Sequence, residues 1–113
     1  MTGVDFEQQN GSLYIRALGE RLDGSNQILE TMEENGLFRN SYSKVELDMA
    51  RVEFINSLGI TELVDMQRRF TDNMQRKTTL HFTNVDPKVN AILELVEFHR
   101  VAKISLKGEN ARD

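Results

Sequence analysis

The stretch VELDMARVEFINSLGITELVDMQRRF, residues 45–70, contains the pattern that decides the fold. Apolar and acidic side chains alternate over residues 45–49, and this period of two predicts a strand. Apolar side chains then recur at helical spacing from Ile60 to Phe70, with Gln67 as the polar member of the stripe. Asn56-Ser57-Leu58-Gly59 comes directly before this amphipathic helix. A strand followed by a short connection and a helix is the repeating unit of a parallel sheet.

The residues before this stretch predict a hairpin, a loop and a helix. Residues 13–17 alternate apolar and polar side chains, and Asn10-Gly11 is a favoured two-residue turn that would join them to a partner strand at 5–9. Residues 19–24 are predicted to form a loop. A helix is expected to follow, with Ser25 or Asn26 as its cap and Gly36 at its end.

The residues after this stretch predict two more strands around a third helix. The strands are expected at residues 79–83 and 101–106. Asp86 is placed to cap the helix between them, and Pro87 stands at its first position, where the missing N–H group costs nothing. The order of elements predicts an α/β fold with a mixed, mainly parallel sheet of about five strands. We expect one domain over residues 1–113, with a polar tail from about Lys107.

Composition excludes several classes of function. The 113 residues contain no cysteine, which rules out disulfides, thiolate nucleophiles and Cys-metal sites. The net charge is -4 without a basic stripe, so nucleic acid is not an expected partner. No apolar run approaches the ~20 residues needed to cross a bilayer, and residues 1–9 are polar, so neither membrane insertion nor a secretory signal is expected. We expect a cytoplasmic protein.

Catalysis and cofactor binding are not expected either. The chain has no glycine-rich phosphate loop and no G-x-S-x-G motif. His81 and His99 are the only histidines, and no neighbouring carboxylates have the spacing of a metal site. The sequence therefore predicts no catalytic residue, no metal and no cofactor, and the two histidines are expected on surfaces or strand faces.

Three motifs resemble those of STAS domains, and specifically of bacterial anti-sigma factor antagonists. The first is Leu47-Asp48, a short spacer and Phe54-Ile55-Asn56-Ser57-Leu58-Gly59, where the family typically has an aromatic, an apolar residue and Asp-Ser-Ser/Thr-Gly. The second, GERLD at 19–23, is similar to the family's Gly-x-Leu-Asp loop with one extra residue. The third is FTNVDPKVNAILELV at 82–96. The resemblance implies a mixed sheet with helices packed mainly on one face.

The resemblance also implies a switch. Ser57 corresponds to the phosphorylated serine of the family, which is modified by a serine kinase of histidine-kinase-like fold that is often also the anti-sigma factor. A metal-dependent serine phosphatase removes the phosphate. The unphosphorylated form would bind the kinase and free a sigma factor. The partner-binding residues expected on this basis are Leu22, Asp23, Asn56, Ser57, Leu58, Gly59, Thr61 and Glu62.

A helix start suits a phosphorylated serine on physical grounds. Free N–H groups and a partial positive charge at the helix N-terminus favour an anion, so we expect a phosphate on Ser57 to be held there without other basic groups nearby. Gly59 would allow close approach by the phosphate or by a partner backbone. On local sequence alone, Ser57 would be an ordinary helix cap. Asp23 would repel the phosphate if its loop lies beside Ser57.

Two departures from the family pattern keep an alternative open. Asn56 stands at the usual acidic position and carries no charge, and Leu58 stands where a small polar residue is common. Both favour a constitutive, non-phosphorylated STAS scaffold subunit of an ABC transporter or signalling complex. A third hypothesis is a small-ligand or nucleotide sensor, for which the sequence shows no pocket-forming residues.

Overall fold

The computed structural model describes residues 4–24, 28–40, 42–72 and 79–108, without the side chains of 71, 72 and 79. The elements are β1 (Val4–Gln9), β2 (Ser12–Ala17), β3 (Arg21–Leu22), α1 (Ile28–Glu34), β4 (Lys44–Asp48), β5 (Phe54–Ile55), α2 (Ser57–Asp72), β6 (Thr79–Val85), α3 (Pro87–Leu95) and β7 (Lys103–Leu106). A short 3-10 turn, Phe98–Arg100, lies between α3 and β7.

Five of the strands form one mixed sheet in the order β1-β2-β4-β6-β7. β1 pairs with β2 antiparallel, and the other three pairings are parallel. The parallel pairings follow from helices α1, α2 and α3, which lie in the connections from β2 to β4, from β4 to β6 and from β6 to β7. β3 and β5 form a separate two-stranded parallel sheet. This architecture is the mixed, mainly parallel α/β sheet that the sequence predicts.

The core lies between one face of the sheet and the helices. Leu13, Leu47 and Phe82 point into it from neighbouring strands, and each is fully buried. Leu63, Met66 and Phe70 are the buried members of the α2 stripe. The opposite sheet face has polar side chains: Tyr14 and Arg16 on β2, Glu46 and Asp48 on β4, and His81 on β6.

The structure contains the predicted hairpin turn, the predicted end of α1 and the predicted cap of α3. Asn10 and Gly11 have φ values of 49° and 81°, so both adopt the left-handed conformation that a tight hairpin turn requires. At the end of α1, Gly36 has φ 69°, and the Leu37 N–H donates to the Met32 carbonyl at 3.0 Å, which is a Schellman ending. Asp86 caps α3 by accepting from the Lys88 N–H at 2.8 Å.

Several boundaries differ from the sequence prediction. The predicted loop at 19–24 contains β3, because Arg21 and Leu22 pair with Phe54 and Ile55. The last strand begins at Lys103 and not at residue 101, because the chain first turns through the 3-10 segment. The predicted caps Ser25 and Asn26 lie outside the described residues. In the ranges that the structure does describe, no helix combines the length and apolarity that a membrane span needs.

Candidate functional site

Asn56 caps α2 and leaves Ser57 as the first helical residue. The Asn56 Oδ1 atom accepts from the N–H groups of Leu58 at 3.0 Å and Gly59 at 3.1 Å. The Asn56 carbonyl accepts from the Ile60 N–H at 2.9 Å. The local-sequence interpretation of Ser57 as the cap is therefore wrong, because the preceding side chain already performs that role. The Ser57 side chain is exposed and is not needed to start the helix.

This cap leads to a prediction about stability. Asn56→Ala removes the acceptor for two N–H groups and should lower the free energy of unfolding by about 1 kcal/mol. Asn56→Asp keeps the acceptor and adds a charge that the helix dipole favours, so it should be at least as stable as the original chain. Chemical denaturation of both variants measures this. Equal destabilisation by Ala and Asp would contradict the capping role.

The 19–24 segment is fixed against the start of α2 by backbone contacts. The Leu22 carbonyl accepts from the Asn56 N–H at 3.1 Å, next to the pairing of β3 with β5. A Cβ atom on Gly59 would overlap the Leu22 carbonyl oxygen and lie 2.9 Å from the Leu22 Cβ. Glycine is therefore required at position 59 by the chain's own backbone. The expectation that Gly59 gives room to a phosphate or a partner is corrected accordingly.

Exposed and half-buried side chains stand on both segments beside this contact. Leu58 is 59% exposed and Phe54 is 38% exposed. The Arg21 guanidinium lies 4.0 Å from the centre of the Phe54 ring, and Arg21 Nε lies 3.2 Å from Asp23 Oδ2. We call the set Arg21, Asp23, Phe54, Ser57 and Leu58 the helix-start surface. It combines two apolar side chains, an ion pair and a hydroxyl, a mixture that also occurs where proteins bind one another.

Three of the expected partner-binding residues serve the fold in this structure. Leu22 is fully buried, and Gly59 is buried beneath it. Glu62 is half-buried and accepts from the Ile28 N–H at 2.9 Å, so it joins α2 to the beginning of α1. Thr61 is exposed, and its hydroxyl donates to the Ser57 carbonyl at 2.9 Å. The structure therefore uses Leu22, Gly59 and Glu62 in the packing of the domain and leaves Thr61 at the surface.

Arg21 and Phe54 belong to the helix-start surface but were not among the expected site residues. Their proximity depends on the parallel pairing of β3 with β5, in which Arg21 lies opposite Phe54. A two-residue strand is too short to show periodicity, so the pairing could not be predicted from local pattern. The available signal was the aromatic residue itself, which stands three positions before Ser57.

A second polar cluster lies on the sheet face away from the helices. His81 Nε2 lies 2.7 Å from Ser105 Oγ, and His81 Nδ1 lies 3.9 Å from Glu46 Oε1. Burial lowers the pKa of His81 below 6.5, and Lys103 and Lys44 lower it further while Glu46 opposes them. His81 thus lies on a strand face, where the sequence placed it. Within the described ranges, no three His, Asp or Glu side chains are arranged to hold a metal ion.

The lowered pKa of His81 predicts a pH dependence of stability. Because its folded pKa lies below the unfolded value of 6.5, the unfolded chain takes up this proton first as the pH falls. The stabilising contribution is therefore complete above pH 6.5 and is lost below it. His81→Gln should reduce the loss of stability between neutral and mildly acidic pH in urea titrations. The exposed His99→Gln is the control, and an equal effect of both variants would contradict the assignment.

Comparisons with known proteins agree with this architecture. A STAS domain model matches residues 4–111. An anti-sigma-factor antagonist (STAS) domain protein from Planctomyces limnophilus has a similar structure, with 21% identity, a TM-score of 0.78 and coverage of 98% of this chain and 95% of that one. An anti-sigma factor antagonist from Mycobacterium paratuberculosis aligns at 15% identity and a TM-score of 0.70, over 97% and 93% of the two chains.

A more distant solved structure has the same fold. SpoIIAA, an anti-sigma factor antagonist solved in its unphosphorylated form, aligns at 13% identity with a TM-score of 0.63, over 96% of this chain and 92% of that one. No curated protein sequence matches the chain. The solved structures share the fold at low identity, and the family model covers nearly all of the sequence. The chain belongs to the STAS domain family.

Proposed function

We propose that this protein is an anti-sigma factor antagonist that acts by partner switching. In its unphosphorylated form it binds an anti-sigma factor that is also a serine kinase of histidine-kinase-like fold, and this binding frees a sigma factor. Phosphorylation of Ser57 ends the binding, and a metal-dependent serine phosphatase restores it. The observation that carries the proposal is the exposed Ser57 at the first position of α2, beside exposed Leu58, with the cap supplied by Asn56.

The helix-start surface supports a role in binding a protein. Leu58 and Phe54 expose apolar area that a partner can cover, and Ser57 lies directly before Leu58 in the chain. Phosphorylation adds about -1.5 to -2 charges at this place. A partner packed against Leu58 would have to desolvate that charge, so the modification can end binding without unfolding the domain. We assign the protein a binding role in the cytoplasm, without catalysis of its own.

The test is phosphorylation in vitro with the cognate serine kinase and ATP, followed by intact-mass measurement. We expect one phosphate on the original chain and none on Ser57→Ala. Ser43→Ala is the control, because Ser43 is an exposed hydroxyl next to β4, outside the expected partner-binding residues, and should leave phosphorylation unchanged. Absence of phosphate, or phosphate on a residue other than Ser57, would overturn the switch. The intact mass of protein from its native cells, before and after phosphatase treatment, extends the test to the cell.

A second candidate function is a constitutive scaffold subunit of an ABC transporter or signalling complex. The neutral cap Asn56 and the large exposed side chain of Leu58 favour it, since a permanent interface needs an apolar anchor and no phosphorylation. Co-purification separates the two functions. An ATPase subunit bound to the chain would support the scaffold, and an anti-sigma kinase would support the switch.

A further inference from the structure

We infer that the two edges of the five-stranded sheet bind each other between copies of this chain, so that β1 of one copy adds to β7 of the next. In the sheet order β1-β2-β4-β6-β7, each of these two strands has one neighbouring strand among the residues that the structure describes. An edge strand carries a row of backbone donors and acceptors that another strand can pair with. The contact involves no residue of the helix-start surface and does not depend on the function proposed for Ser57.

The directions of the strands suit this contact. β1 runs antiparallel to β2, whereas β2, β4, β6 and β7 are parallel to one another. A second copy in the same orientation therefore presents its β1 antiparallel to β7, and the helices of both copies lie on the same face of the continued sheet. Because the two edges differ, the contact is head-to-tail, and a pair of copies still has one free edge at each end for further copies.

The side chains on the core face of both edges are apolar and incompletely covered. On β1, Phe6 lies opposite Ile15 and so shares the core face, yet it is 38% exposed. On β7, Ile104 lies opposite the buried Phe82 and is itself half-buried. A groove of about 410 Å³ between α3 and β7 is bordered by Ile104 and Leu106 and has room for the ring of Phe6 from a second copy.

The side chains on the outer face of the two edges are complementary in charge. Glu7 is exposed on β1 and lies opposite Tyr14, and Lys103 is exposed on β7 and lies opposite His81, so both are on the face without helices. A lysine on an edge strand normally discourages pairing with another chain, and a carboxylate opposite it removes that obstacle. Glu7 Oε2 accepts from the Gln9 amide, and the other carboxylate oxygen can accept from the ammonium.

One register matches both faces at once and uses all four residues of β7. Its pairs are Val4 with Leu106, Asp5 with Ser105, Phe6 with Ile104 and Glu7 with Lys103.

The backbone groups of both strands suit the same register. The Lys107 N–H donates to the Val85 carbonyl, so by alternation Ile104 directs its N–H and carbonyl groups away from β6. On β1, a two-residue hairpin turn closes on a hydrogen-bonded pair, so by the same alternation Phe6 directs its backbone groups away from β2. Phe6 and Ile104 can therefore form a hydrogen-bonded pair between two copies.

Sedimentation velocity of the full-length chain over about 10 µM to 1 mM tests the contact, because so small an interface should be weak. We expect the weight-average sedimentation coefficient to rise with concentration and to pass that of a dimer, as a head-to-tail contact requires. Glu7→Lys and Lys103→Glu should each weaken association by about 5- to 30-fold, since each places like charges opposite one another. Lys88→Glu is the control, because it makes the same change of charge at an exposed position on α3.

Exchanging the two charges gives the sharpest comparison. The double variant Glu7→Lys/Lys103→Glu has opposite charges across the contact again and should associate like the parent. An equimolar mixture of the two single variants should also associate, because each variant offers the edge that the other requires. A parent chain that stays monomeric at the highest concentration would overturn the inference. So would a double variant that associates no better than the single ones, or a Glu7→Lys variant that associates like the parent, which would indicate pairing through β7 alone.

Discussion

Gly59→Ala should unfold the protein or destabilise it by at least about 3 kcal/mol, which is the upper range for an overpacked site. The added methyl group would overlap the Leu22 carbonyl oxygen. That carbonyl cannot retreat easily, because it also accepts the Asn56 N–H and belongs to the β3–β5 pairing. The free energy of unfolding from chemical denaturation measures the effect.

Gly108→Ala is the matched control for this prediction. Gly108 has φ 92°, so alanine there has a conformational cost of about 1–2 kcal/mol, but among the described residues no atom lies within 4 Å of the added Cβ. Gly59 has no such backbone requirement, and its whole cost is steric. A Gly59→Ala protein as stable as Gly108→Ala would show that the Leu22 contact is not tight.

Leu58→Glu should weaken binding of the unphosphorylated protein to the proposed anti-sigma partner by about 100-fold or more in affinity. Leu58 is the most exposed apolar side chain on the helix-start surface, at 59%, and an exposed anchor that enters a partner's pocket typically contributes more than about 2 kcal/mol. Because Leu58 lies outside the core, the free energy of unfolding should change by less than about 0.5 kcal/mol. Titration calorimetry with the purified partner measures the affinity.

Leu95→Glu is the control that tests whether the loss of affinity is specific to the helix-start surface. Leu95 is 82% exposed at the end of α3, and it is an equally large apolar side chain outside the helix-start surface. Its substitution should leave partner affinity unchanged. If both variants lose affinity equally, the partner contacts a different or larger surface than the one proposed.

Much of the fold could be predicted because its signals are local. The Asn10-Gly11 turn, the alternation before Asp48 and the Asp86-Pro87 helix start each specify a backbone conformation within a few residues. The structure confirms all three. The β3–β5 pairing could not be predicted in the same way, because it joins segments more than thirty residues apart through two residues on each side. The family resemblance implied that the 19–24 loop lies beside the start of α2. The structure shows that the β3–β5 pairing makes this contact.

The site was predictable as a segment but not as a set of side-chain directions. The sequence motif correctly located Ser57 and Leu58 at the start of a helix, but the local pattern gave the cap to Ser57 and not to Asn56. It could not show that Glu62 turns inward to the Ile28 N–H, because that contact depends on where α1 begins in three dimensions. It also could not show that Asn56 occupies the N–H groups that a phosphate would use. Such facts depend on the tertiary packing around the motif.

The contact between Gly59 and Leu22 is made by buried atoms, whereas the side chains available to a partner lie on the surface beside it. The loop and the helix are held at a fixed distance by main-chain atoms and by a residue without a side chain. The exposed side chains of Arg21, Phe54 and Leu58 are not among the atoms of this main-chain contact. We therefore expect substitutions at these three positions to change recognition of a partner more than they change the fold.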